Sequence, residues 1–114
     1  MKQYCVDLDN LEPIAVGLGA CYATDEIVVK GRPVGFMYRE APDAGADSGW
    51  RFLAGDEDQA YMDDPENLGV YDLNMIANID AAFVTRLMAP IGAAFERDEH
   101  TGRFEKADFD LPDA

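Results

Sequence analysis

The sequence predicts an α+β fold, a mostly antiparallel sheet with two or three short helices packed on one side. Three observations carry that expectation. Strand-like alternation fills the first half, acidic helix caps and an apolar stripe occupy residues 56–90, and a second pair of strand-like runs closes the chain. At 114 residues the chain has the length of one ordinary domain, enough to bury a core without disulfide or metal staples. We therefore expect a single domain over residues 1–114. Its ends, at about 1–12 and 108–114, are polar and weakly patterned and are expected to be loosely held.

Residues 14–24 read IAVGLGACYAT, an apolar run broken by glycine that fits a buried strand near 18–23 and a turn at Thr24-Asp25. Residues 27–30 are short and β-branched, and Lys30-Gly31-Arg32-Pro33 is a turn. Over residues 34–40, Val34, Phe36 and Tyr38 fall on one face and Gly35, Met37 and Arg39 on the other, the pattern of a half-buried strand. Residues 40–49, rich in Pro, Asp, Gly and Ala, form a wide loop between two antiparallel strands, and alternation resumes over 50–55.

Asp56 then offers an N-cap for a short helix over 57–62 that ends near Asp63-Asp64-Pro65. Asp72 and Asp80 can each cap a further helix. For the second, Ile79 and Val84 fit a hydrophobic staple, and Phe83, Val84, Leu87 and Met88 form a stripe read as core before Pro90 stops the turn. Residues 93–97 and 103–106 flank Asp98-Glu99-His100-Thr101-Gly102 as a closing hairpin.

Charge is the strongest compositional fact: 23 acids against 9 Lys and Arg, a formal net charge of −14. Such a field repels phosphate backbones and anionic lipid, so neither nucleic acid nor membrane is expected as a partner, and a basic protein is favoured. The excess is concentrated, because residues 52–85 contain no Lys or Arg while Asp56, Glu57, Asp58, Asp63, Asp64, Glu66, Asp72 and Asp80 all fall there. A charge run of this kind is often only a solvated face. As a recognition surface it would be carried by Asp56, Glu57, Asp58, Asp63, Asp64 and Glu66, the candidate partner-binding residues. The first ten residues lack the apolar stretch of a signal peptide, and no eighteen apolar residues run together, which leads us to expect a cytoplasmic protein.

Catalytic signatures are missing where they would be needed. Gly17-Leu18-Gly19 lacks the third glycine of a dinucleotide loop, since Tyr22 stands in its place. His100, the one histidine, lies in a polar turn, which removes zinc chemistry of the HExxH kind. Ser48 has no GxSxG elbow. Acidic pairs arise by chance among so many carboxylates, and the EF-hand calcium pattern is absent. Cys5 and Cys21 form no CxxC and are read as reduced thiols, Cys21 in the core. Trp50 and Tyr61 could anchor a binding surface, although an aromatic in an alternating strand is more often core. We expect no catalytic residue, no cofactor and no metal.

One stretch carries a family likeness. Gly35-Phe36-Met37-Tyr38-Arg39-Glu40, Asp47-Ser48-Gly49-Trp50-Arg51-Phe52, Ala54-Gly55-Asp56-Glu57, Tyr61-Met62-Asp63 and Gly69-Val70-Tyr71-Asp72-Leu73-Asn74 together resemble a bacterial family, immunity protein 33 of polymorphic toxin systems. The likeness spans about residues 19–104. It implies a cytoplasmic, non-catalytic protein that binds a cognate toxin, with no catalytic residues to transfer. Toxin contacts would lie on the acidic stretch or in the variable residues 41–47. Two other readings stand beside it: a small ligand-binding domain or enzyme with a carboxylate-lined pocket, and a housekeeping regulatory or scaffold protein. Perturbed carboxylates clustered in a deep cleft would favour the former.

Overall fold

The structure is a computed structural model that describes residues 2–107. Among them six strands form one open sheet in the order β4-β1-β3-β2-β5-β6, with β1 at Ala20–Thr24, β2 at Phe36–Arg39, β3 at Asp47–Leu53, β4 at Leu68–Asp72, β5 at Ala94–Arg97 and β6 at Phe104–Lys106. Only the β1–β3 ladder is parallel; β1–β4, β2–β3, β2–β5 and β5–β6 are antiparallel. The fold is α+β with a mostly antiparallel sheet, as expected, and β5–β6 is the expected closing hairpin. Strand β4 was not anticipated: its five residues, LGVYD, are too few and too mixed to show a period.

The start of β1 is set by a close approach. Gly19 has φ +98° and a Cβ there would lie 2.6 Å from the Ala46 carbonyl oxygen, so the chain cannot extend as a strand with a side chain at that point. The strand accordingly begins at Ala20, and Leu18, expected inside it, is exposed. Gly49, inside β3, lies at an equally close approach: its φ is +90° and a Cβ would sit 2.2 Å from the Glu40 carbonyl oxygen.

The helices are α1 (Asp25–Val28), α2 (Gln59–Asp63) and α3 (Leu73–Ile79), with 3-10 turns at Pro65–Asn67 and Ala81–Arg86. Helix α1 takes in Ile27 and Val28, the first half of the short β-branched run at 27–30. Asp25 and Glu26 suit a first helical turn, and burial of Ile27 and Val28 overrides their strand preference. Asp72 and Asp80 cap as expected, accepting from the Asn74 and Ala82 N–H groups at 2.8 and 3.1 Å. The cap of α2 is Asp58, not Asp56: Asp58 accepts from Tyr61 N–H at 2.8 Å, while both oxygens of Asp56 are taken by Arg32. After Asp80 the chain makes a 3-10 turn, and the stripe ends at Leu87; Met88 is 87% exposed because the chain bends away through Ala89 and Pro90.

One sheet face carries Cys21, Ala23, Met37, Trp50, Phe52, Phe95 and Phe104 against Ile76 of α3 and Phe83 and Leu87 beyond it. Phe52 and Phe83 meet at 4.6 Å between ring centroids, and Trp50, 1% exposed, donates its indole N–H to the Leu87 carbonyl at 3.1 Å. Residues 2–12 lie beside α1 and α3. Cys5 N–H bonds the Val28 carbonyl at 2.8 Å, Tyr4 packs edge-on against Tyr71, and Glu12 exchanges bonds with Asn78. The C-terminal residues 108–114 lie outside the described residues.

Strand directions sort the connections between two ends of the sheet. At one end lie the residues leading into β1, the β2–β3 loop and residues 87–93. At the opposite end lie α1, residues 30–35, the acidic β3–β4 connection and the β5–β6 turn.

Candidate functional site

The six candidate carboxylates sit together on the β3–β4 connection, yet they do not do the same thing. Glu57 is half-buried and fully engaged, accepting from Thr24 Oγ1 at 2.7 Å and from the Ala54 and Gly55 N–H groups at 2.8 Å each. It ties the exit of β3 to the end of β1. Asp58 caps α2, and Asp64 caps the following 3-10 turn through Glu66 N–H at 3.0 Å. Asp63 accepts only from Gln59, at 2.7 Å, and it is exposed together with Asp56, Asp58, Asp64 and Glu66.

Sequence distance also concealed the cations. Arg32 grips Asp56 with two bonds of 2.9 and 2.8 Å and Glu26 with a third of 2.8 Å. Lys2 reaches Asp25 at 2.9 Å and the backbone carbonyl of Glu66 at 2.6 Å. The Arg32 hydrogen bonds hold the Asp56 carboxyl below its usual range, so it remains an anion. Among the described residues only Asp56 of the six pairs with a cation, and with Glu57 half-buried and held by neutral donors the exposed charge left without one narrows to Asp58, Asp63, Asp64 and Glu66. On the Asp56 side of the connection an open groove of about 670 Å³ runs between Arg32, Asp56, Phe36, Arg97 and Asp98. Asp98 is held low by the N–H groups of Thr101 and His100. Depressed carboxylates suit ion pairing; a general acid needs the opposite shift.

At the other end of the sheet a second acidic cluster surrounds one cation. Arg51, 3% exposed, bonds Glu40 at 2.5 Å and Asp47 through two nitrogens at 2.9 and 2.8 Å, and stacks 4.0 Å from the Tyr22 ring. Tyr22 in turn donates its hydroxyl to Asp43. Both ends and the middle of the β2–β3 loop are thus fixed to one guanidinium, whose hydrogen bonds hold the Asp47 carboxyl well below the usual carboxylate range. Sequence reading missed this cluster. Its only linear signal is an arginine inside an acid-flanked loop and strand.

The remaining chemistry-bearing side chains have structural duties. Ser48 Oγ donates to the Ala20 carbonyl at 2.6 Å, at the end of the sheet opposite His100 in the β5–β6 turn. Both cysteines are free thiols, and burial raises the Cys21 thiol far above its normal range. Trp50 belongs to the core and cannot anchor a surface, whereas Tyr61 is half-buried with its hydroxyl enclosed. Among the described residues no group of three or more His, Cys, Asp or Glu side chains is placed to hold a metal, and no helix is long and apolar enough to cross a membrane.

The model of one family, described as the immunity protein Imm33 domain, matches residues 21–108. No curated protein and no solved structure gives a match to the chain.

Proposed function

The chain belongs to the immunity protein Imm33 family, and from that premise we propose that it is a non-catalytic protein that neutralises a cognate toxin by covering the toxin's working surface. The observation that supports this reading is the unpaired remainder of the acidic connection: Asp58, Asp63, Asp64 and Glu66 stay exposed after Lys2, Lys30 and Arg32 have taken their partners. Exposed like charges with no cation of their own repel one another, and a basic surface relieves that repulsion. Asp56 sits at the rim of the patch, already half committed to Arg32. Glu57 is a brace for the loop rather than a contact.

Occlusion of this kind needs no turnover. A toxin that acts on phosphate backbones would present the matching positive cleft. Co-purification tests the reading: the tagged chain, expressed with the product of an adjacent secreted-toxin gene, should hold that product in a stable complex and restore growth. Growth arrest despite good expression of both proteins would reject it.

A further inference from the structure

The two edges of the sheet are finished differently. At β6, Asp98 N–H bonds the Arg103 carbonyl and Ala107 N–H bonds the Ala94 carbonyl, so Phe104 and Lys106 turn their backbone groups outward. That edge is guarded: it is three residues long, Glu105 and Lys106 are charged, and Arg86 occupies the Phe104 carbonyl at 2.7 Å. At β4, the bond from Leu73 N–H to the Gly19 carbonyl sets the alternation, and with the register Val70 opposite Tyr22 it directs the backbone groups of Val70 and Asp72 away from β1. Among the described residues nothing bonds the N–H and C=O of Val70 or the N–H of Asp72, whereas the Asp72 carbonyl serves the first turn of α3; the Val70 side chain is 63% exposed.

The surroundings of this edge are graded. Beyond its C-terminal end lies the loop that carries Ile14, Val16 and Leu18, exposed by 42%, 64% and 46%; the Ile14 and Ala15 N–H groups bond Asn74 Oδ1, just after β4. Before its N-terminal end lie Asp63, Asp64 and Glu66. Four of the seven exposed large hydrophobic residues thus belong to this strand or to the loop beside it, and the acids flank the opposite end.

We propose that the free edge of β4 is a strand-addition site, which takes an extended segment of a partner protein that is apolar at one end and rich in lysine or arginine at the other. Backbone bonds to the N–H and C=O of Val70 and to the N–H of Asp72 give the pairing, Val70 and the Ile14–Leu18 loop meet the apolar half, and Asp63, Asp64 and Glu66 meet the basic half. A second copy of this chain is the wrong occupant. Antiparallel self-pairing about Val70 would press two molecules of net charge −14 together, each bringing an acidic flank with no cation to meet it. The proposal rests on the reading that the chain binds a protein, and it names which part of the surface does so.

The test uses a short synthetic peptide of alternating valine and threonine that ends in lysines, a version N-methylated at alternate residues, and a version ending in glutamates. With the full chain, the lysine peptide should slow hydrogen exchange at the Val70 and Asp72 amides by roughly tenfold or more at saturation. N-methylation or the glutamate ending should weaken binding by at least about tenfold. Val70→Pro, tolerable on an edge strand, should do the same. Equal binding of the N-methylated peptide, protection confined to other residues, or a stable dimer in which the Val70 amide is already protected would each overturn the proposal. The immunity reading fails separately, if the chain does not hold or silence the neighbouring toxin while the peptide still protects β4.

Discussion

The two acidic clusters at opposite ends of the sheet use the same residue type for opposite purposes. In the β2–β3 loop, Glu40, Asp43 and Asp47 converge on Arg51, and their charge goes into fixing the loop. Near the β3–β4 connection, Lys2 and Lys30 pair with Asp25 and Glu26 of α1 and only Arg32 pairs with a carboxylate of the connection, Asp56, so part of the charge is left facing outward. The presence of a buried counter-ion, rather than the number of carboxylates, decides which cluster is structural and which is free to meet a partner.

Substitutions that remove the counter-ion or the carboxylates should break this distinction in a graded way. Arg51→Met leaves Asp47 and Glu40 without a cation in a largely enclosed site. It should cost about 3 kcal/mol of stability in urea unfolding, with the exchange protection of residues 40–47 lost first. A loss below about 1 kcal/mol would mean the guanidinium is dispensable. Glu57→Gln weakens three hydrogen bonds at the end of β3 and should cost about 1.5 kcal/mol, measured the same way.

The acid limb of the stability curve sharpens the comparison. Arg51 depresses the folded-state pKa of Asp47 below its unfolded value, so the native state holds fewer protons there. The stability it contributes is fully present above about pH 4 and declines as pH falls from there towards the lower folded value. In Arg51→Met this decline should become shallower. The smallest stability effect belongs to the other cluster: Asp63→Asn, Asp64→Asn and Glu66→Gln together should change unfolding by less than about 0.5 kcal/mol, because these side chains are exposed and asparagine still caps.

Much of this arrangement was legible in the sequence, and what was not has physical causes. The caps at Asp72 and Asp80 and the hairpin around residues 98–102 are local, so their signals lie within a few residues. The placement of the acidic stretch is legible for the same reason. The pairing of Asp56 with Arg32 and the approach of Lys2 to the Glu66 carbonyl are not, since those cations are distant in sequence and only the fold brings them there. The Asp56 cap expectation failed on that point: a guanidinium competed for the carboxylate, and the next aspartate in phase took over the helix. Strand β4 was hidden because a short edge strand with one exposed valine has no period to read. It becomes visible only through its pairing with β1.

The central claim is that the outward-facing carboxylates at the acidic end recruit the toxin. The most direct test is the association rate of the purified chain with its co-purified toxin, measured by stopped flow across ionic strength. The wild-type rate should fall steeply as salt rises, and the Asp63→Asn, Asp64→Asn, Glu66→Gln variant should start about tenfold slower with a flatter slope. An unchanged rate and an unchanged salt slope in that variant would contradict the account.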